Sequence, residues 1–192
     1  MWNKFTKNDK GFTGLEAAIV LVAFVVVAAV FSYVMLGAGF YTTQKSQEVV
    51  HTGVTQASSS VELSGDVVAQ DANGNDVIDA VTLCLQLTSG GSSVDMGKTL
   101  IVLSAPDVAP TELKLGAAAD ADEFAITKKY NADADNIIDK SEKFDVKVDL
   151  AAAGATIGAN DQFQLEVKPP QGASYTIHRR APPSISAVMV LV

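Results

Sequence analysis

The chain is poor in the residues that usually carry chemistry. Its single cysteine, Cys84, allows no internal disulfide. Its two histidines, His51 and His178, share no motif with Cys84. A catalytic thiol needs a paired base, so Cys84 reads as a small side chain on a strand. No phosphate loop, zinc spacing, nucleophile elbow or dinucleotide fingerprint occurs. No Asn-x-Ser/Thr acceptor occurs either, which excludes N-glycosylation by that rule. All six prolines lie at or beyond Pro106, so nothing need break a helix between Phe12 and Leu63. Positive charge is scarce outside the first residues. Lys4, Lys7 and Lys10 against Asp9 give the first eleven residues a local charge of +2; without them the net charge of −8 becomes −10. So acidic a body cannot neutralise phosphates, and nucleic acid is excluded as a partner.

What the chain does have is a long apolar run. "KGFTGLEAAIVLVAFVVVAAVFSYVMLGAGF" spans residues 10–40, and only Ser32 and Tyr33 carry hydroxyls between Ala17 and Leu36. From Thr42 the texture turns polar, with Val50, Val54, Ala57 and Val61 recurring at helical spacing. One helix from Phe12 to about Leu63 would measure roughly 75 Å at about 1.5 Å per residue. A bilayer core takes only about 30 Å, so the first half suffices to span it. Gly37, Gly39 and Gly53 sit inside this helix. Each marks either a close approach between packed helices or a bend.

After Ser64 the period changes from 3.6 to 2. "VTLCLQLTS" puts Val81, Leu83, Leu85 and Leu87 on one face. "KFDVKVDL" aligns Phe144, Val146, Val148 and Leu150, and "QFQLEVKP" aligns Phe163, Leu165 and Val167. "TLIVLS", "EFAIT", "SYTIH" and "AVMVLV" complete the set. Seven or so short strands separated by Gly, Pro, Asn and Ser clusters predict an antiparallel β-sandwich. The last run, Ile185 to Val192, is apolar on both faces and is expected to be central and buried, or covered by a neighbour. The fold class is α+β: a long N-terminal hydrophobic helix followed by a sandwich.

The basic leader departs from a conventional signal peptide, which is cut after its apolar stretch. Here a cut after Gly11 would free the amino group of Phe12 and leave the whole apolar helix in place. The positive leader would stay on the cytoplasmic side. Glu16 then sits on the first turn of the mature helix. Negative charge there suits the helix dipole. The sharper reading is that this costly carboxylate pairs with an α-ammonium group, its own or a neighbour's, and sets the register of a helix bundle.

Lys10-Gly11 followed by Phe12-Thr13-Gly14-Leu15-Glu16, the apolar helix and its polar extension resemble, in that order, the N-terminal region of the archaellins, the archaeal flagellins. The first of these stretches resembles a class III, prepilin-type cleavage region. The resemblance covers residues 4 to about 63 and implies three segments: a leader at 1–11, a membrane-anchor and filament-core helix at 12–63, and an Ig-like outer domain at 64–192. It implies a membrane aspartyl prepilin peptidase cutting after Gly11, a wait in the cytoplasmic membrane, and an ATPase-driven assembly platform. It further implies a helical homopolymer on the cell surface, turned for swimming, with no enzymatic role. An adhesive type IV pilin-like subunit and a membrane-anchored extracellular binding domain are the alternatives.

Two acidic loops remain. Asn131, Asp133, Asp135, Asp139 and Glu142 fall at positions 1, 3, 5, 9 and 12 of "NADADNIIDKSE". That is the ligand spacing of an EF-hand-type calcium loop, although Asn136 stands where the glycine belongs and the flanks read as strands. "DANGNDVID" repeats the theme more weakly with Asp71, Asn73, Asn75 and Asp79, and has Thr82 at position twelve. The competing reading is two solvated turns. No cofactor is required; calcium is the candidate ion.

Overall fold

The computed structural model describes residues 9–191, with side chains from residue 13 onward. Residues 1–8 of the expected leader lie outside the described residues, and Gly11 and Phe12 fall on helical backbone. The chain divides into two units, residues 1–51 and 52–192.

The first unit is almost wholly helix. Helix α1 runs Asp9–Ser58, 50 residues. Its apolar window is not buried at all within the chain. Phe24 is 75% exposed and Leu36 is 56% exposed, so no face is covered. By length and composition this one helix is able to cross a membrane. Where its polar half begins, the hydroxyls of Thr42 and Thr43 donate to the carbonyls of Ala38 (2.8 Å) and Gly39 (2.9 Å) one turn back. Such back-bonding satisfies a hydroxyl without any tertiary partner.

The helix stops at Ser58, five residues short of the expected Leu63. The serine run explains this. Ser58 and Ser59 both turn their hydroxyls onto the carbonyl of Thr55, at 3.2 and 2.7 Å. Serine offers the backbone this alternative to continuing a helix. Val61, which continues the helical stripe on paper, instead opens strand β1, Val61–Leu63, and is fully buried.

Among its described residues the second unit carries twelve strands where about seven are expected. β2 (Val67–Gln70), β3 (Ala80–Leu87), β4 (Val94–Asp95), β5 (Leu100–Ala105) and β6 (Val108–Leu115) lead into β7 (Glu123–Tyr130) and β8 (Ile137–Ile138). β9 (Lys143–Asp149), β10 (Gln162–Lys168), β11 (Tyr175–Arg180) and β12 (Val188–Leu191) follow. A single 3₁₀ turn, Met96–Lys98, lies between β4 and β5. The main strand order is β11-β10-β5-β6-β7-β9-β3-β2-β12, with β1 also on β3; β4 and β8 form a separate pair. β1, β2, β4 and β8 have at most four residues each and escape a periodicity reading. β6 hides behind Pro110 and exposed residues, with Leu113 alone on it fully buried.

Among the described residues every pairing between strands is antiparallel except one, with an isolated parallel bridge between Ser60 and Ala173 besides. β6 pairs antiparallel with β5 and then, through Lys114 and Leu115, runs parallel to Glu123 and Phe124 of β7. That short parallel contact joins the two layers at a corner, as strands do when they pass between sheets. The result is a sandwich nearly closed on itself, with one shared core. Leu103, Leu113, Leu165 and Val167 belong to the same buried cluster as Leu83, Leu85, Phe124, Phe144 and Val146. The alternation of β3, β9 and β10 predicted these inward faces, and they are buried as expected.

The last strand is not central. β12 lies at the end of the strand order and pairs only with β2. Leu191 is buried, but Val188 is 63% and Val190 51% exposed. Its apolar outer face has no cover in the single chain.

Within the second unit, the junction between the last turn of α1 and the strands is tight and uncharged. Ser59 is 2% exposed, and its hydroxyl meets that of Ser92 at 2.5 Å. Ser92 also reaches the Thr55 carbonyl at 3.4 Å. Gly172 crosses directly over this point at φ +96, and a Cβ there would fall 1.3 Å from the Ser59 carbonyl oxygen. Gly172→Ala is therefore expected to cost at least about 2 kcal/mol, adding an intolerable contact to a left-handed backbone. Gly65→Ala is the control, because it has φ +99 with nothing within 4 Å. Thermal unfolding of the full chain should show Gly172→Ala clearly the worse of the two.

Candidate functional site

The largest exposed apolar surface among the described residues is α1 itself. Glu16 lies exposed on it, and no ion pair involving Glu16 forms among the described residues. Gly37, Gly39 and Gly53 each have nothing within 4 Å of an added Cβ, so whatever approaches them is not part of this chain's described structure. The expected stripe is present and bare: Val50 is 61% and Val54 63% exposed.

The acidic loops have different interiors. In loop 71–79, Asp71 and Asp79 are only 6% and 7% exposed. Asp71 accepts the backbone N–H groups of Asn73, Gly74, Asn75 and Asp76 at 2.7–3.4 Å. Asp79 accepts the N–H of Ala72 at 2.7 Å and both the backbone and side-chain N–H of Asn73. The backbone N–H of Asn73 thus touches both carboxylates, and the loop is wound around the pair. Neither carboxylate has a Lys, Arg or His partner among the described residues.

Loop 131–142 is built around a different cation. The ammonium of Lys129 donates to the carbonyl of Asp135, to that of Ala134 at 3.4 Å and to Asn136 Oδ1 at 3.1 Å. The carboxylates turn to backbone amides. Glu142, 8% exposed, accepts the N–H of Asp133 (3.4 Å) and Asp139 (2.8 Å). Asp133 accepts from Asp135 N–H and Asp135 from Ile137 N–H, while the Asn131 amide donates to the Ser141 carbonyl. The spacing that suggested a calcium loop is also the spacing of successive Asx turns. Among the described residues no group of three or more His, Cys, Asp and Glu is arranged to hold a metal ion. Lys129 was missed as a loop-filling group because it precedes the loop on β7.

Cys84 lies half-buried on the outer face of β3, as its alternation implies. Burial, and then the neighbouring Asp145 carboxylate, pushes its thiol pKa up, which is the reverse of an activated nucleophile. Asp145 also receives the Tyr130 hydroxyl at 2.8 Å.

A helix whose first half is apolar on every side and bare, continued by a well-packed sandwich, defines a class of protein. Its members shield the helix with lipid or with copies of itself. The chain belongs to the archaeal-type flagellin family, whose model matches residues 11–179. Probable flagellin 1 of Archaeoglobus fulgidus is 50% identical over 202 residues, covering 100% of both chains. Probable flagellin 2 of the same organism is 42% identical, covering 95% of each. A chain of the archaeal flagellum of Methanospirillum hungatei strain JF1 is similar in structure, with TM-score 0.71 at 34% identity, over 93% of this chain and 99% of that one. Archaeal flagellin FlaB1 from Methanocaldococcus jannaschii, at 15% identity, shares the fold with TM-score 0.58, over 68% of this chain and 95% of that one. This chain is accordingly a structural subunit of a surface filament. Relatives that match along its whole length are flagellins, which does not favour the adhesive-pilin or membrane-anchored binding-domain readings.

Proposed function

We propose that the chain is made as a precursor, inserted in the cytoplasmic membrane through the apolar half of α1, and cut after Gly11. The matured subunit then leaves the lipid and joins a helical homopolymer used for swimming. Its partners are a prepilin-type peptidase, a membrane assembly platform with its ATPase, and other copies of itself. It acts as a passive propeller and catalyses nothing. The observation that supports this is the uncovered apolar surface of α1, which is unsustainable in water and is satisfied in turn by lipid and by neighbouring helices. A head-to-tail contact between identical subunits that does not close gives an open helical polymer.

N-terminal sequencing of subunits from purified filaments tests the cut. The expected first residue is Phe12. Gly11→Val should leave a longer precursor in the membrane fraction and no filament; a processed Gly11→Val subunit would sink this cleavage rule.

Glu16 is proposed to set the axial register by pairing with the α-ammonium group of Phe12 in its own or a neighbouring subunit. Glu16→Ala is then expected to cut filament yield at least several-fold while leaving membrane insertion intact. The readout is filament mass per membrane-bound subunit, and unchanged assembly would remove Glu16 from this role.

Calcium is proposed for loop 71–79 in preference to loop 131–142. The support is a pair of buried carboxylates, Asp71 and Asp79, both reached by the backbone N–H of Asn73 and without a basic partner among the described residues. The Lys129 ammonium already occupies the carbonyls of the other loop. A chelator should lower the thermal midpoint of the full chain, calcium should restore it, and Asp79→Asn should abolish the response. A midpoint indifferent to chelation would reject the ion.

A further inference from the structure

The chain has only two arginines, Arg179 and Arg180, side by side at the end of β11 and next to His178. They line an open groove of about 640 Å³ with Ser104, Pro106, Phe163 and His178. Neither arginine forms an ion pair among the described residues. Arg179 spends Nη1 on the carbonyl of His178 at 2.9 Å, and its Nε is buried with no hydrogen-bond partner. Arg180 spends Nε on the carbonyl of Asn160 at 3.0 Å. Two carboxylates stand at the same end. Asp161 accepts the N–H of Gly158 at 2.9 Å, Asp107 is exposed on the β5–β6 turn, and neither pairs with an arginine. In an acidic chain these are guanidinium groups without a carboxylate partner among the described residues. Guanidinium recognises carboxylate through paired, charge-assisted N–H···O bonds.

The opposite end of the same sandwich carries the complement. The corner between β6 and β7 reads "AAADADE", with Asp120, Asp122 and Glu123 exposed and no basic residue within the segment. Lys114 stands in register with Glu123 but forms no ion pair with it. The corner has a fixed shape: Asp120 N–H donates to the carbonyl of Glu123 at 2.9 Å, and the Asp120 carboxylate accepts Ala121 N–H at 2.8 Å.

Strand register places the two features at opposite ends. Gln162 pairs with Arg180 and Gln164 with Ser104, so the groove lies where β5 turns into β6. Ile101 pairs with Leu113 and Lys114 with Glu123, so the acidic corner lies at the far end of β6. β6 is eight residues long and spans roughly 25 Å at about 3.3 Å per residue. A chain therefore cannot bring its own corner to its own groove, but a copy displaced along the strand direction can.

We propose that the Arg179–Arg180 groove receives the Asp120–Glu123 corner of a second copy of this chain. The contact is heterologous, joining one end of an outer domain to the other end of the next. It repeats without closing and so propagates along a filament. It adds an ion-paired outer seam to the apolar packing of the helices. The inference rests on the reading of the chain as a homopolymer subunit.

The test uses whole filaments. Arg180→Lys is expressed beside the wild-type chain, so that filaments form whatever the variant alone would do. Filaments are treated with a zero-length carbodiimide, which couples an amine to a carboxylate only in direct contact, and the linked peptides are mapped by mass spectrometry. The expected result is the amine introduced by Arg180→Lys coupled to Asp120, Asp122 or Glu123, in species that run as subunit ladders. The link should be lost when all three acids are changed to their amides. Arg179→Lys is read in the same way. If the introduced amines couple only to other carboxylates, or to none while the native lysines couple, the pairing is overturned. Wild-type cells whose shed material holds no filament of this chain would instead overturn the homopolymer reading itself.

Discussion

A helix of fifty residues whose apolar half, Leu15 to Phe40, has no face covered by the described chain has one requirement: water must be kept from that half. At about 25 cal/mol per Å² of apolar surface, leaving even the Leu15-to-Leu36 stretch wet is untenable for a folded protein of ordinary stability. Other features of the chain are consistent with this constraint. The helix carries no proline to bend it and few charges to strand in lipid or in a bundle. Its glycines leave room for close neighbours. The sandwich, by contrast, buries its own core.

The division of labour follows from this difference. The sandwich core draws on both layers through Phe124, Phe144 and the facing leucines, and its acidic surface keeps the chain soluble outside the helix. The helix has no tertiary core and gains its shielding only from what surrounds it. One element buries its apolar surface within itself and the other leaves it for its surroundings to cover.

Much of this could be read from the residues. The alternation of Val81, Leu83 and Leu85, of Phe144, Val146 and Val148, and of Phe163, Leu165 and Val167 marked the inward faces, because period-2 patterning reports a half-buried strand directly. The helix was legible as a long apolar run. Its end was not, because Val61 continues the helical spacing while long-range pairing to Leu87 claims it for a strand. The terminal valines misled in the other direction. A doubly apolar strand normally reports burial within the chain, and here Val188 and Val190 face outward at an edge. The acidic loops were found by spacing, but spacing could not tell a ligand set from Asx turns. That difference lies in where Lys129 and the backbone amides point. The arginine pair was visible in composition alone, yet its isolation from every described carboxylate is a property of the folded sheet.

The crossing of Gly172 over Ser59 has a consequence for the conditions under which such a protein works. The contact is made of hydroxyls, a carbonyl and bare backbone, with no ionised group among Thr55, Ser59, Ser92 and Gly172. Exposed ion pairs fade as salt shortens the Debye length, to about 3 Å at 1 M. A neutral joint has nothing to screen. The joint between the last turn of the helix and the strands therefore offers salt nothing to weaken, from dilute water to brine.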